Sequence, residues 1–137
     1  MKLGKHTKTG KKVNWVKLCD ELWADIIKAR AGYKSEYSGK LGKKAGGDEV
    51  LNAHHIVGKP NYRLRYDFDN GICLTGGEHK FIAHHTGRQE MFRERVKQIK
   101  GEDIYDRLNA LRNVISKDIK LTYLYLLEES KKFNQSL

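Results

Sequence analysis

The sequence predicts an α+β fold: a small, mainly helical domain arranged around two short strands and the helix that follows them. Three observations lead there. Apolar stripes at helical spacing occupy both ends of the chain, two short β-like runs fall between residues 49 and 75, and five of the six histidines lie within Leu51–His85. At 137 residues the chain can bury one sizeable core, with little room for a second.

Residues 1–12, MKLGKHTKTGKK, mix Lys, Gly and Thr without periodicity and read as a flexible basic arm, tracking phosphates or simply solvated, in which His6 is incidental. A single domain is expected over 13–137. Its first helix spans 13–31: Val16, Cys19, Leu22, Trp23, Ile26 and Ile27 share one stripe, with Lys17, Asp20, Glu21, Asp25 and Lys28 on the other side. Gly32 can supply the left-handed residue that ends it. Tyr33 to Gly47, with four glycines and four lysines, is a loop or a weak hairpin.

A first strand is expected over Glu49–Val57, stopped by Gly58 and Pro60, because proline cannot donate to a central ladder. Asn61–Asp69 connects it, with Tyr62, Arg63, Arg65 and Tyr66 exposed, to a second strand over Gly71–Thr75. A helix then starts at Glu78, whose carboxylate suits a positive helix end, and runs to His84 or His85, which closes a core segment of 49–85. The remainder, 88–133, is helical: Met91, Phe92 and Val96 mark one helix, Ile104, Tyr105, Leu108, Leu111 and Ile115 another beyond Gly101, and Thr122 is the expected N-cap of the last. Such stripes are core, though one can serve a homodimer.

The formal charge of +10 points to a polyanionic partner, nucleic acid before others. No apolar run is long enough for a signal peptide or a membrane span, so a cytoplasmic protein without membrane contact is expected. Cys19 and Cys73 each sit in an apolar pattern and read as buried free thiols.

Imidazole is the usual general base near neutral pH and a common metal ligand, so the grouped histidines carry the chemical reading. His54 and His79 can hold one divalent ion in an open site, and His55 can activate a water beside it. Adjacent strand residues point to opposite faces, so His54 and His55 serve one site only if the strand ends or bulges there, or if they line two sides of a bent edge. Asn70 can pin the connecting loop or orient His55; equally, Asp69-Asn70-Gly71 is a turn sequence in its own right. On a regular helix Ala83, not His84, shares a face with His79. His84 therefore joins the metal only through a distorted helix, and otherwise it and His85 are exposed or bind phosphate. Lys59, Arg63, Arg65, Lys80 and Arg88 flank the histidines and are candidate phosphate contacts, with a solvated face as the alternative.

The string LNAHHIV…DNGICL…EH resembles the core motif of the HNH endonucleases, whose ββα-metal site cuts nucleic acid. The flanks LCDELWADIIKARAGYKSEYSGK and GEDIYDRLNALRNVISKDIKLTYLYLLEE are similar to those of phage recombination endonucleases of the NinG type and related phage HNH proteins. The resemblance implies His54 and His79 as metal ligands, His55 as general base and Asn70 as the central Asn of the motif. It also implies cleavage of duplex or branched DNA, with a divalent ion, to a 5′-phosphate and a 3′-hydroxyl, in a host cytoplasm. Mg²⁺ or Mn²⁺ is the expected ion, with Ni²⁺ or Zn²⁺ also suited to imidazole. Relatives often carry two CxxC knuckles that hold a structural zinc; here the matching positions are Ser35, Ser38, Thr75 and Glu78, so no Cys₄ zinc is expected. Hydrogen bonds from Ser35 and Ser38, and packing by Tyr33, Tyr37 and Cys73, are expected to substitute for it. The alternative function is a basic DNA-binding module, or an accessory subunit, that does not cut.

Overall fold

In a computed structural model the described residues are 12–58, 62–111 and 118–135, the side chains of 62, 63, 134 and 135 excepted. The expectations for the basic arm up to residue 11, for His6, for Lys59 and Pro60, for Ile115 and for the Tyr62 and Arg63 side chains lie outside them. The chain is α+β and mostly helical, with one two-stranded sheet among the described residues.

Helix α1, Trp15–Arg30, begins where the Asn14 side chain accepts a hydrogen bond from the Lys17 amide at 3.0 Å. It ends before Gly32, which takes a left-handed φ of 67°. Of the stripe that helical spacing predicts, Cys19, Trp23, Ile26 and Ile27 are buried and Leu22 is partly so, while Val16 in the first turn is exposed. Strands β1, Leu51–His55, and β2, Gly71–Thr75, are antiparallel, with Leu51 opposite Thr75 and His55 opposite Gly71. β1 is shorter than the expected 49–57 because the chain leaves the ladder at Val57. There Asn70, not a neighbouring strand, takes both backbone groups, accepting from the amide at 2.7 Å and donating to the carbonyl at 2.9 Å.

β2 is buried along its whole length, while β1 is half-exposed. The two-residue period of β2 divides the core. Ile72 and Leu74 join Val57, Leu64, Phe92, Val96 and Ile104 on one side. Cys73 joins Trp23, Ile26, Ile27 and Leu126 on the other. The outer edge of β2 is covered by Glu36, whose amide donates to the Cys73 carbonyl at 2.9 Å and whose carboxylate accepts from the Cys73 amide at 2.8 Å. Lys100 anchors that carboxylate at 2.7 Å. Both cysteines are buried free thiols, and burial raises each to a pKa of about 11.

The connection between the strands departs from expectation. It contains a helical turn, α2 (Tyr62–Arg65), and its Arg65 and Tyr66 turn toward α1 instead of facing solvent. Arg65 forks onto Asp20 of α1 (Nε to Oδ1 2.9 Å, Nη2 to Oδ2 2.6 Å), and Tyr66 is buried beside Trp23. The alternation of Tyr and Arg reads as a wet loop; the carboxylate and apolar face of α1, distant in sequence, turn it inward.

After β2, helix α3 starts as an α turn, Gly76–Glu78, and continues as a π-helical turn, His79–Ala83. α4 (Gln89–Lys100) and α5 (Ile104–Ala110) follow, separated at Gly101 with φ 114°. α6 (Ile119–Gln135) packs along α1. Its cap is Asp118, whose carboxylate accepts from the Lys120 and Leu121 amides at 3.0 and 3.2 Å; Thr122, the expected cap, lies inside the helix. Among the described residues no helix is long and apolar enough to cross a membrane.

Gly71 is needed for close approach. A Cβ there would overlap the Ile27 side chain and come within 2.9 Å of the Trp23 ring. Overpacking of this kind costs about 1–3 kcal/mol. Gly71→Ala should therefore lower the urea midpoint accordingly; an unchanged midpoint would contradict the packing of α1 on β2.

Candidate metal centre

The strand β1 runs without a bulge through its two histidines, so they do point to opposite faces. His54 faces α3, and His55 faces α1. β1 ends at His55, the first of the arrangements the sequence left open, and both rings line one cavity of about 490 Å³ together with Asp20, Trp23, His79 and His84.

On the α3 side, one ring nitrogen from each of His54, His79 and His84 lies within 4.8 Å of the others. The Nε2 atoms of His79 and His84 are 3.0 Å apart. Tetrahedral ligands 2.0–2.1 Å from one ion stand about 3.3 Å from each other, so modest ring rotations complete a three-imidazole set. The π-helical turn brings His84 in. The His84 amide donates to the His79 carbonyl five residues back at 3.3 Å, and this wider turn stacks positions i and i+5. The distorted helix that lets His84 join the cluster is present, and His84 is at the same time exposed, as the other alternative had it. His85 points elsewhere, its Nδ1 accepting from the Gly87 amide at 3.2 Å.

His54 sits deepest. It packs edge-on to Phe92 with ring centroids 5.4 Å apart. Burial, reinforced by His79, His84 and His55, pushes its pKa down to about 3. The ring thus remains neutral, the form that binds metal, throughout the physiological range. Asn52, two residues earlier on the same face of β1, meets His79 Nδ1 at 3.2 Å. The atom it presents is Nδ2, which donates to Nδ1 and leaves the hydrogen of the neutral ring on Nε2; turning the Asn52 amide over would bring its oxygen to that nitrogen and free Nε2 as the ligand atom, the usual partnership around a metal-bound imidazole. Asn52→Ala should weaken metal binding by roughly 10–100-fold in a calorimetric titration, the usual cost of removing such a support. Undiminished affinity would remove Asn52 from the site.

On the α1 side, the His55 ring stacks on Trp23, with centroids 4.0 Å apart and planes 7° from parallel. Its Nε2 lies 2.9 Å from the Arg65 carbonyl oxygen. A carbonyl only accepts, so Nε2 carries the hydrogen and Nδ1 is the basic nitrogen of the neutral ring. Trp23 is itself fixed by its Nε1 donating to the Asp67 carbonyl at 3.1 Å, and it can lie flat because Gly71, opposite His55, has no side chain.

Asn70 does not line this cavity. It is fully buried, and besides Val57 its Nδ2 donates to the Leu64 carbonyl at 2.9 Å. Of the roles the sequence left open, the structure shows the pinning of the loop; the amide bonds Val57 and Leu64, not the His55 ring. It holds the turn whose next carbonyl, that of Arg65, receives His55, and so acts on the base through the backbone. Arg65, expected to meet phosphate, spends its guanidinium on Asp20 and belongs to the same support. Lys80 and Arg88 are exposed beside the metal cluster; Arg88 reaches the Phe81 carbonyl at 3.3 Å.

The four positions matched to zinc knuckles do converge. Ser35 Oγ donates to Glu78 Oε1 at 2.5 Å and accepts from the Tyr37 and Ser38 amides, both at 3.1 Å. Thr75 and Glu78 form a reciprocal capping box at the start of α3. Burial alone would raise the Glu78 pKa, but hydrogen bonds from Ser35, Ser38 and the Thr75 amide, with Lys40 nearby, hold it below the ordinary carboxylate range. This buried polar knot fixes the N-terminus of the helix that carries His79.

Sequence reasoning missed Asn52, Asp20 and the stacking role of Trp23. Asn52 had a signal, the two-residue period that puts it on the face of His54. Trp23 and Asp20 had none beyond their helical stripes. Comparison of the chain with protein-family models, with curated proteins and with solved structures gives no match.

Proposed function

We propose that the chain is a metal-dependent nuclease of the HNH type, hydrolysing phosphodiester bonds in DNA. The observation that carries this reading is the shared cavity. Three convergent imidazole nitrogens open into the same space as a fourth imidazole whose tautomer is set for proton abstraction.

His54, His79 and His84 would hold one divalent ion, which when bound supplies charge neutralisation on the phosphate and on the departing 3′ oxygen. Three neutral imidazoles suit Mn²⁺, Zn²⁺ or Ni²⁺ better than Mg²⁺. His55 Nδ1 accepts a proton from water as the water oxygen attacks phosphorus. The bond from phosphorus to the 3′ oxygen breaks, that oxygen takes a proton from solvent water, and a 5′-phosphate and a 3′-hydroxyl are left. Trp23 and the Arg65 carbonyl keep the base in plane and in tautomer, and Lys80 and Arg88 attract the polyanion.

The test is a cleavage assay on supercoiled plasmid, linear duplex and a four-way junction, across Mg²⁺, Mn²⁺, Zn²⁺ and Ni²⁺ with a chelator control. Metal-dependent nicking is expected, strongest with an imidazole-loving ion. DNA binding without cleavage under every ion would leave a basic binding module instead.

A further inference from the structure

The histidine cavity has a neighbour on the same seam. Asp20, Ala24 and Lys28 follow one another at four-residue intervals along α1, on one stripe of the helix. Asp20 and Ala24 line the histidine cavity, and Lys28 lines a second cavity of about 220 Å³. The strand repeats the pattern: Ala53 and His55 border the first space, Val50 and Leu51 the second. Eight residues of helix rise about 12 Å. Four residues of strand, from Leu51 to His55, rise about 13 Å. Both elements thus place the second cavity roughly 12–13 Å from the base, within reach of a nearby nucleotide on the same strand.

The second cavity has the chemistry of a nucleotide site. Its floor is apolar, from Leu51 and the exposed Val50, and one wall is the Tyr33 ring. Lys28, Lys43 and Lys44 surround it, opposed by the single carboxylate of Glu49, and Lys28 is shared with Asp25 at 3.7 Å. The Lys44 ammonium stands 5.0 Å from the Tyr33 ring centroid. Tyr33 is also the one non-glycine residue with positive φ, 56°, among the described residues. That conformation is costly for an aromatic residue. It is held by the Tyr33 amide donating to the Lys28 carbonyl at 2.9 Å and the Gly42 amide donating to the Tyr33 carbonyl at 2.8 Å.

We propose that this cavity is a second subsite, which takes an unpaired nucleotide of the strand whose phosphodiester lies at the histidines. The base rests on the apolar floor against Tyr33, and the lysines meet its phosphate. A base within a duplex has no free face to offer, so the subsite selects substrates with single-stranded character near the cut. The inference rests on the nuclease reading for its ligand class.

The test measures binding of the full chain to a short fluorescein-labelled single strand, and to its duplex, by anisotropy with chelator present, so that nothing is cut. Lys43→Gln/Lys44→Gln is compared with Lys97→Gln/Arg107→Gln, which removes equal charge from α4 and α5. The first pair should lower the salt slope of single-strand binding by about 1.4, at 0.7 per phosphate contact. The second pair should leave that slope near wild type. Tyr33→Ala should weaken the single strand about tenfold and the duplex far less. Equal effects of the two double variants, or no wild-type binding of single strand, overturn the subsite; the double variants decide even if Tyr33→Ala fails to fold. A wild-type chain that shows the expected differences yet cuts nothing with any ion sinks the nuclease reading alone. One that nicks plasmid while both double variants bind alike sinks the subsite alone.

Discussion

His55→Ala is expected to reduce metal-dependent plasmid nicking by roughly 10²–10⁴-fold, the usual contribution of a positioned general base, with the metal still bound. The separation follows from the geometry: His55 faces α1, on the opposite side of β1 from the cluster of His54, His79 and His84. Because the ring stacks on Trp23, truncation also opens a void beside the core, and an inactive His55→Ala alone could reflect loosened packing. His55→Phe resolves this, since it keeps an aromatic face against Trp23 and removes both nitrogens. Loss of nicking in both variants, with calorimetric metal affinity within a few-fold of wild type, is the expected result. Nicking by His55→Phe at the wild-type rate would falsify the assignment of the base.

The second large effect concerns His84. Its removal leaves two imidazoles, so His84→Ala is expected to lower metal affinity by more than about a hundredfold, beyond the 10–100-fold typical of losing a supporting residue. The sharper version moves the ligand. On an α-helix a histidine at 83 would face His79, whereas on the π turn His84 does. The double variant Ala83→His/His84→Ala should therefore fail to recover affinity, provided circular dichroism shows the fold intact. Recovery to the wild-type level would mean that the segment is an ordinary α-helix when the metal is bound.

Much of this site was legible in the residue order, and the limits of that legibility are physical. The α1 stripe from Cys19 onward, the second strand Gly71–Thr75 and the position of His79 on the following helix are all local periodicities, and they stand as expected; Val16, in the first turn, is exposed instead. His84 was open because a helix face depends on pitch, and one extra residue in a turn exchanges Ala83 for His84. Arg65 and Tyr66 turned inward because Asp20 and the apolar face of α1, some forty-five residues earlier, compete with water for them. Asn70 is conspicuous as a polar residue in an apolar context, yet only the fold shows that its amide serves Val57 and Leu64, not a substrate.

By itself the sequence determined the donors and their order: five histidines in two groups, one on a strand and one on and just after a helical turn, two thiols destined for the core, and an excess of positive charge. Those follow from composition and from periods of two and of about four, which each segment expresses without its neighbours. Only the tertiary structure decided which nitrogens meet. Convergence requires the π turn of α3 and the packing of α1 across β1 at the same time, and neither depends on residues near His54 and His55 alone.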